Sequence, residues 1–192
     1  MRRLALAFAL YLAIFWAAAI WRWHIWTFGA DTGTFAQVVA HTFSGFSDGP
    51  EQGTHFRFHW APLLALLYPL VAITRSPLSL QLAQVFLVGL AALPLYGIAR
   101  AYLDERHAAA LASLALLYPP LLGIAFDEFH EDAFFPVLAL ALVWAAERER
   151  WRWFALFAVL SALVREDVCV TLVPIGLALA AVHPVTAFLA MG

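Results

Sequence analysis

Short polar stretches interrupt an otherwise apolar chain, and each carries side chains capable of chemistry. The densest is GIAFDEFHEDAFFP, residues 123–136, where Asp127, Glu128, His130, Glu131 and Asp132 fall within six positions. On a helix, Asp127, His130 and Glu131 share a face at i, i+3 and i+4. The three would then converge on a divalent cation or a reacting hydroxyl. Carboxylates favour magnesium or manganese, whereas the imidazole also tolerates zinc. The competing reading is a hydrated loop in which Glu131 or Asp132 caps the next helix. Phe126, Phe129, Phe134 and Phe135 surround these charges in place of the Gly, Ser, Asn or Pro usual in such a loop.

Three further stretches carry chemistry. Asp31 stands in FGADTGTFAQ. Asp followed by Thr-Gly-Thr suits a helix N-cap; the alternative is a carboxylate at a cavity mouth, acting as general base or metal ligand. In THFRFHW, His55, Arg57 and His59 alternate with Phe56, Phe58 and Trp60. An extended segment would place the polar groups on one face and the rings on the other. That strip is either interfacial or, through Arg57 and His59, phosphate-binding. In ALVREDVCV, Arg165, Glu166 and Asp167 sit between apolar runs. Ionisable groups near membrane depth are costly and face a bundle interior or a water-filled cavity. They read as an internal Arg–Glu pair or as a polar site in which Arg165 binds phosphate.

Apolar segments must position these residues. The chain is 64% hydrophobic and 12% charged, with mean hydropathy +0.82, against roughly 45–50% and ~25% for soluble domains. The expected fold is all-α, a polytopic transmembrane helical bundle in one domain, residues 1–192. Spans are expected at about 4–21, 77–98, 107–125, 133–146, 151–164 and 168–182, with an outer loop at 22–59 and an interfacial segment at 60–74. The opening MRRLALAFALYLAIFWAAAIW is longer than a signal peptide's apolar core of about 7–15 residues. It reads as an uncleaved first span with a cytoplasmic N-terminus, and Trp21, Trp23 and Trp26 as an aromatic belt.

Two segments decide the topology. Trp60–Thr74 as a helix reaches only about 22 Å, short of a ~30 Å hydrocarbon core, and Pro62 and Pro69 shorten it further. Leaving it out of the crossings places Arg2, Arg3, Arg100, Arg106, Arg148, Arg150 and Arg152 in the cytoplasm and Arg22, Arg57, Arg75 and Arg165 outside, as the positive-inside rule favours. Trp151–Val182 would be about 48 Å as one helix, too long for one crossing, so it is split at Arg165–Asp167. Nine of thirteen carboxylates and five of seven histidines then fall on the outer side. The net charge of −2 gives no ground for a nucleic-acid partner, and membrane lipid is the expected one. Cys169, the single cysteine, permits no intrachain disulfide.

In order, DTGTFAQ, FHWAPLLALLYPL, FDEFHEDA and VREDV resemble a family of prokaryotic integral membrane proteins, domain of unknown function 2079. SPLSLQLAQVFLVGLAALPLYGIAR is similar to that family's next span, and the resemblance covers about residues 27–175. Asp31, Gly33 and Gln37 match the first-loop pattern, with Ala36 where the family has a second acid. Around His130, the family's Phe-Asp-Phe-His-Pro-Glu appears with Glu128 added and no proline. Arg165 replaces a lysine and keeps its charge. The family in turn resembles the GT-C glycosyltransferases, which use polyprenyl-phosphate sugars. That likeness implies a cytoplasmic N-terminus and a large external loop with a catalytic acid and interfacial helices before the second span. Family members are longer, so a chain ending in the unfinished apolar TAFLAMG is expected to be truncated.

The resemblance implies a GT-C-like glycosyltransferase of the prokaryotic inner membrane, moving a hexosyl or pentosyl group from a polyprenyl-phosphate-linked donor at the outer face. Asp31 would be the base or a metal ligand, with Asp127, His130 and Glu131 completing the catalytic site. Arg165, Arg57 and His59 would meet the departing phosphate, with Glu166 and Asp167 as further polar groups. The resemblance names no cofactor; were a divalent cation such as magnesium or manganese bound, Asp31, Asp127 and His130 are the candidate ligands by residue type. The competing classes are a transporter or permease fragment, whose charges form a solute pathway, and a non-catalytic membrane scaffold. The scarcity of charge in the early spans argues against transport.

Overall fold

A computed structural model describes residues 1–50 and 52–182. Helix α1 (Arg2–His24) contains no proline or glycine and runs unbroken for 23 residues, about 35 Å at 1.5 Å per residue. Only Leu4, Tyr11, Phe15 and Ala19 form its buried stripe. Leu6, Leu10, Ile14 and Trp21 remain exposed, as on a helix facing lipid. Helices α4 (Leu78–Leu90) and α5 (Ala92–Ala99) follow one another across Ala91. Pro94 lacks the N–H that would bond to Leu90, which accounts for the interruption.

Helix α1 packs on α4 through Gly89, where an added Cβ would lie 2.7 Å from Tyr11 Cε1 and 2.9 Å from Phe8 Cε2. Tyr11 also donates to the Val85 carbonyl (3.3 Å), and Trp16 Nε1 to that of Leu82 (2.9 Å).

The expected span at 107–125 is instead two helices, α6 (Glu105–Ala115) and α7 (Pro119–Phe126), bent by 47°. Pro119 and Pro120 allow a new helix to start but deny α6 its continuation. After a 3-10 turn at Glu131–Phe134 come α8 (Phe135–Glu147), α9 (Trp151–Ala162) and α10 (Val168–Val182). The chain breaks between α9 and α10 at Arg165–Asp167, where the length argument divides it. α1 and Leu78–Ala99 are long and apolar enough to cross a membrane, and α6 with α7 make a third if the bent pair is one span. The terminal TAFLAMG lies outside the described residues.

Between α1 and α4 the chain forms α2 (Ala30–Ala40), a small antiparallel hairpin of β1 (Ser47–Asp48) and β2 (Gly53–Thr54), and a 3-10 segment Pro62–Leu67 leading into α3 (Tyr68–Thr74). One apolar core lies under this region, around Phe35, Val38, Leu64, Leu80, Phe129 and Val164. A second lies along α1, around Leu4, Tyr11, Phe15, Val85 and Ala112.

The bundle has two chemically different ends. At one, Arg148 donates to the Gly97 carbonyl (3.0 Å) and Tyr102 to Glu147 (2.5 Å). At the other, Arg22 bonds the Phe126 carbonyl and Arg165 pairs with Asp132 at 2.9 Å. The segment 60–74 begins at this second end, with Leu63 N–H bonded to the Leu163 carbonyl (3.0 Å). It also finishes there: α4 begins three residues after Arg75 and runs antiparallel to α1, so its start lies toward the Arg22 end.

Candidate functional site

The polar stretches meet at that second end, and main-chain hydrogen bonding explains how. Helix α2 starts after Gly29. Its free N–H groups are met by Glu128, whose carboxylate accepts from Gly29 (2.7 Å) and Thr32 (3.1 Å). The cap therefore comes from Glu128, and Asp31 is not the N-cap. Relieved of that role, Asp31 sits in the first turn with its side chain 61% exposed, 3.8 Å from His130 Nε2.

The stretch Asp127–His130 is not helical: the chain bends at Asp127 and Glu128, with Asp127 and His130 themselves extended, contrary to the helical face expected for Asp127, His130 and Glu131; helical turns resume only at Glu131. Its backbone is satisfied by α4. Gln84 Nε2 donates to the carbonyls of Ile124 (2.7 Å), Asp127 (3.1 Å) and Glu128 (3.0 Å), and Gln84 Oε1 accepts from His130 N–H (2.9 Å). Gln81 adds a bond to the Asp127 carbonyl at 2.7 Å. Both glutamines are buried. Gln84 uses both ends of its amide, which makes its burial tolerable, whereas Gln81 bonds through Nε2 and its Oε1 has no partner among the described residues. Phe129 is fully buried against Phe35, and its N–H bonds Thr32 Oγ1 at 3.2 Å. Asp127 is exposed, accepts from Glu128 N–H at 2.9 Å, and does not line the pocket described below.

His55–Arg57 is likewise a 3-10 turn, begun by Thr54, whose hydroxyl accepts from Phe56 N–H at 3.3 Å. The alternation expected of a strand is lost. His55 turns inward to Phe35 and His59, with ring centroids 5.3 and 5.8 Å away. Arg57 points elsewhere, exposed and outside the pocket.

Arg165 Nε and Nη2 donate to the two oxygens of Asp167 (2.7 and 2.6 Å), and Nη1 donates to Asp132 at 2.9 Å with Glu131 3.7 Å away. Three carboxylates thus surround one guanidinium. The hydrogen bond to Asp167, aided by all three negative charges, raises the Arg165 pKa above its ordinary value against the effect of burial. The same bond holds the Asp167 pKa down. Glu166, expected to pair with Arg165, instead accepts from Trp60 N–H (2.7 Å) and meets His59 Nδ1 at 3.0 Å. Burial acts to raise its pKa, but the bonds from His59 and Trp60 outweigh that and leave it lowered.

The result is a pocket of about 260 Å³ lined by Asp31, Thr34, Phe35, His55, His59, His130, Glu131 and Arg165. It brings together Asp31, His130, Glu131, His59 and Arg165 and leaves out Asp127 and Arg57. Glu131 is 2% exposed, and its Oε2 has no hydrogen-bond partner among the described residues. The arrangement offers an accessible carboxylate beside an imidazole, backed by a buried carboxylate. Among the described residues no three His, Cys, Asp or Glu side chains converge as a metal site. In particular, the expected set of Asp31, Asp127 and His130 is not assembled.

The profile of a family described as a predicted membrane protein, DUF2079, matches residues 6–188. The chain belongs to the DUF2079 family. No curated protein and no solved structure matches it. The family resemblance carried by the ordered motifs is thereby confirmed. Gln81, Gln84 and Thr32 of this DUF2079 chain shape the site without drawing attention in the sequence, and Glu128, visible there only as one more acid, acts as a cap. The available signal is two amides at i, i+3 inside the apolar LSLQLAQVFLVGL, since buried amides in an apolar helix need partners.

Proposed function

We propose that the protein is a polytopic, prokaryotic inner-membrane glycosyltransferase of GT-C type, with the pocket at the outer face and a polyprenyl-phosphate-linked sugar as donor. The observation that carries the reading is the pairing of Asp31 with His130, 3.8 Å apart at the pocket. Asp31 accepts the proton of an acceptor hydroxyl as that oxygen bonds to the anomeric carbon. The bond from that carbon to the phosphate oxygen breaks, and its electron pair leaves on the polyprenyl phosphate. Such base catalysis is worth on the order of 10²–10⁴-fold. His130 orients the carboxylate.

Arg165, ringed by three carboxylates, serves to hold the polar loops together. His59, which lines the pocket, is assigned to the departing phosphate; Arg57, outside the pocket, takes no part in that step. The ordered motifs are those of a family that in turn resembles the GT-C enzymes, which supports the assignment. The return of segment 60–74 to the pocket end supports its interfacial placement.

One observation favours a second reading, a proton-linked solute pathway: the buried Glu131, adjacent to histidines and without a hydrogen bond on Oε2. Reconstitution in vesicles separates the two. Transfer of label from a polyprenyl-phosphate sugar to an acceptor, without proton flux, supports the enzyme. Proton-coupled solute uptake that Glu131→Gln abolishes, without transfer, supports the pathway.

A further inference from the structure

Helix α2 presents its opposite face to a second, larger and mainly apolar cavity. Asp31, Thr34 and Phe35 face the polar pocket, whereas Gly33, Ala36 and Ala40 line a cavity of about 630 Å³ closed by Tyr68, Ala72 and Arg75. A third cavity of about 220 Å³, walled by Trp23, Trp26 and Phe28, shares Gly33 and Pro77 with it. The two adjoin at Gly33 and Pro77, which line both. Glycine inside a helix is destabilising relative to alanine and usually reflects close packing. Here an added Cβ would meet nothing within 4 Å. What the missing side chain leaves is an open groove.

The groove has a charge at its rim. Arg75 ends α3 in the left-handed region (φ 50°), and its exposed guanidinium makes no ion pair or hydrogen bond among the described residues. His41, also at the rim, already bonds the Ser47 carbonyl through Nδ1 (2.8 Å). Adjoining, mainly apolar cavities with one guanidinium at the rim match a hydrocarbon chain that ends in one negative charge.

We infer that this groove binds an anionic glycerophospholipid, with one acyl chain along the Gly33 face of α2 and its phosphodiester on Arg75. A phosphomonoester, with up to two charges, would be met by a single guanidinium. The inference depends on the chain lying in a membrane and not on glycosyl transfer, because α2 separates the groove from the polar pocket.

Native mass spectrometry of the full chain, released from nanodiscs of phosphatidylglycerol and phosphatidylcholine, tests this. The wild type should retain one phosphatidylglycerol with a preference on the order of fivefold, the weight of one arginine near a lipid phosphate. Arg75→Gln should lose that preference for one bound lipid. Gly33→Leu, which fills the junction, should lose the lipid altogether, while Gly33→Ala keeps it and controls for folding. Unchanged retention in Arg75→Gln or in a folded Gly33→Leu would overturn the site. Displacement of phosphatidylglycerol by an equal amount of a polyisoprenyl monophosphate would overturn the choice of lipid.

Discussion

The carboxylate of Glu128 lies 2.7 Å from the backbone nitrogen of Gly29, a residue 99 positions earlier in the chain. This bond, with its companion to Thr32, ties the loop that carries His130 to the helix that carries Asp31. Glu128→Ala should therefore loosen both at once. The expected cost is about 1 kcal/mol, the usual value of a lost helix cap, read as a lower denaturation midpoint in detergent and faster hydrogen exchange at Gly29 and Thr32. Gly29→Ala should act similarly, because its Cβ would collide with the Glu128 carboxylate.

Gln84 should be the most sensitive polar position in α4. Its amide serves three carbonyls and one N–H of the loop before Glu131. Gln84→Leu keeps the volume and strands those groups, at about 1–3 kcal/mol for each that water cannot reach. Chemical denaturation of wild type and variant would measure the loss. An unchanged midpoint would mean the loop is held by other contacts.

The bond from Trp60 N–H to Glu166 should be pH-dependent with a definite sign. The Glu166 pKa is lowered in the folded chain from an ordinary 4.5. Its contribution is therefore fully present above that ordinary value and is lost as pH falls through the lower folded value. Hydrogen exchange at the Trp60 amide, corrected for its intrinsic rate, should show protection declining on that acid side. In Glu166→Gln, whose amide oxygen can still accept, protection should no longer follow pH there.

Topology makes a separate prediction. With Cys169 replaced by serine, single cysteines at the exposed positions 58, 101, 127 and 149 report sidedness. A membrane-impermeant maleimide applied to intact cells should label positions 58 and 127. Positions 101 and 149 should react only after permeabilisation. Labelling of 127 from the inside alone would remove the outward-facing site.

Much of the helical framework was legible because apolar runs, prolines and charge breaks act locally. The extent of α1, the interruption at Arg165–Asp167 and the shortness of segment 60–74 all follow from length and side-chain type. The site itself was legible only as an inventory. Helical periodicity puts Asp127 with His130 and Glu131, yet Gln81 and Gln84, over 40 positions away, bond a bent, non-helical backbone there. The His55–His59 segment misled for a similar reason: a hydroxyl from Thr54 favours a tight turn over a strand. Asp31 resembled a cap because its neighbours have cap chemistry, and no local rule shows that Glu128 supplies the cap from across the fold.

The central claim is that Asp31, paired with His130, acts as the base in glycosyl transfer. Its most direct test is single-turnover transfer from a radiolabelled polyprenyl-phosphate sugar by reconstituted wild type and Asp31→Asn, with donor binding measured in parallel. Transfer is expected in the wild type, with a loss of about 10²-fold or more in the variant, as for removal of a general base, and with donor binding retained. Equal transfer by both proteins, or none by the wild type, would contradict it.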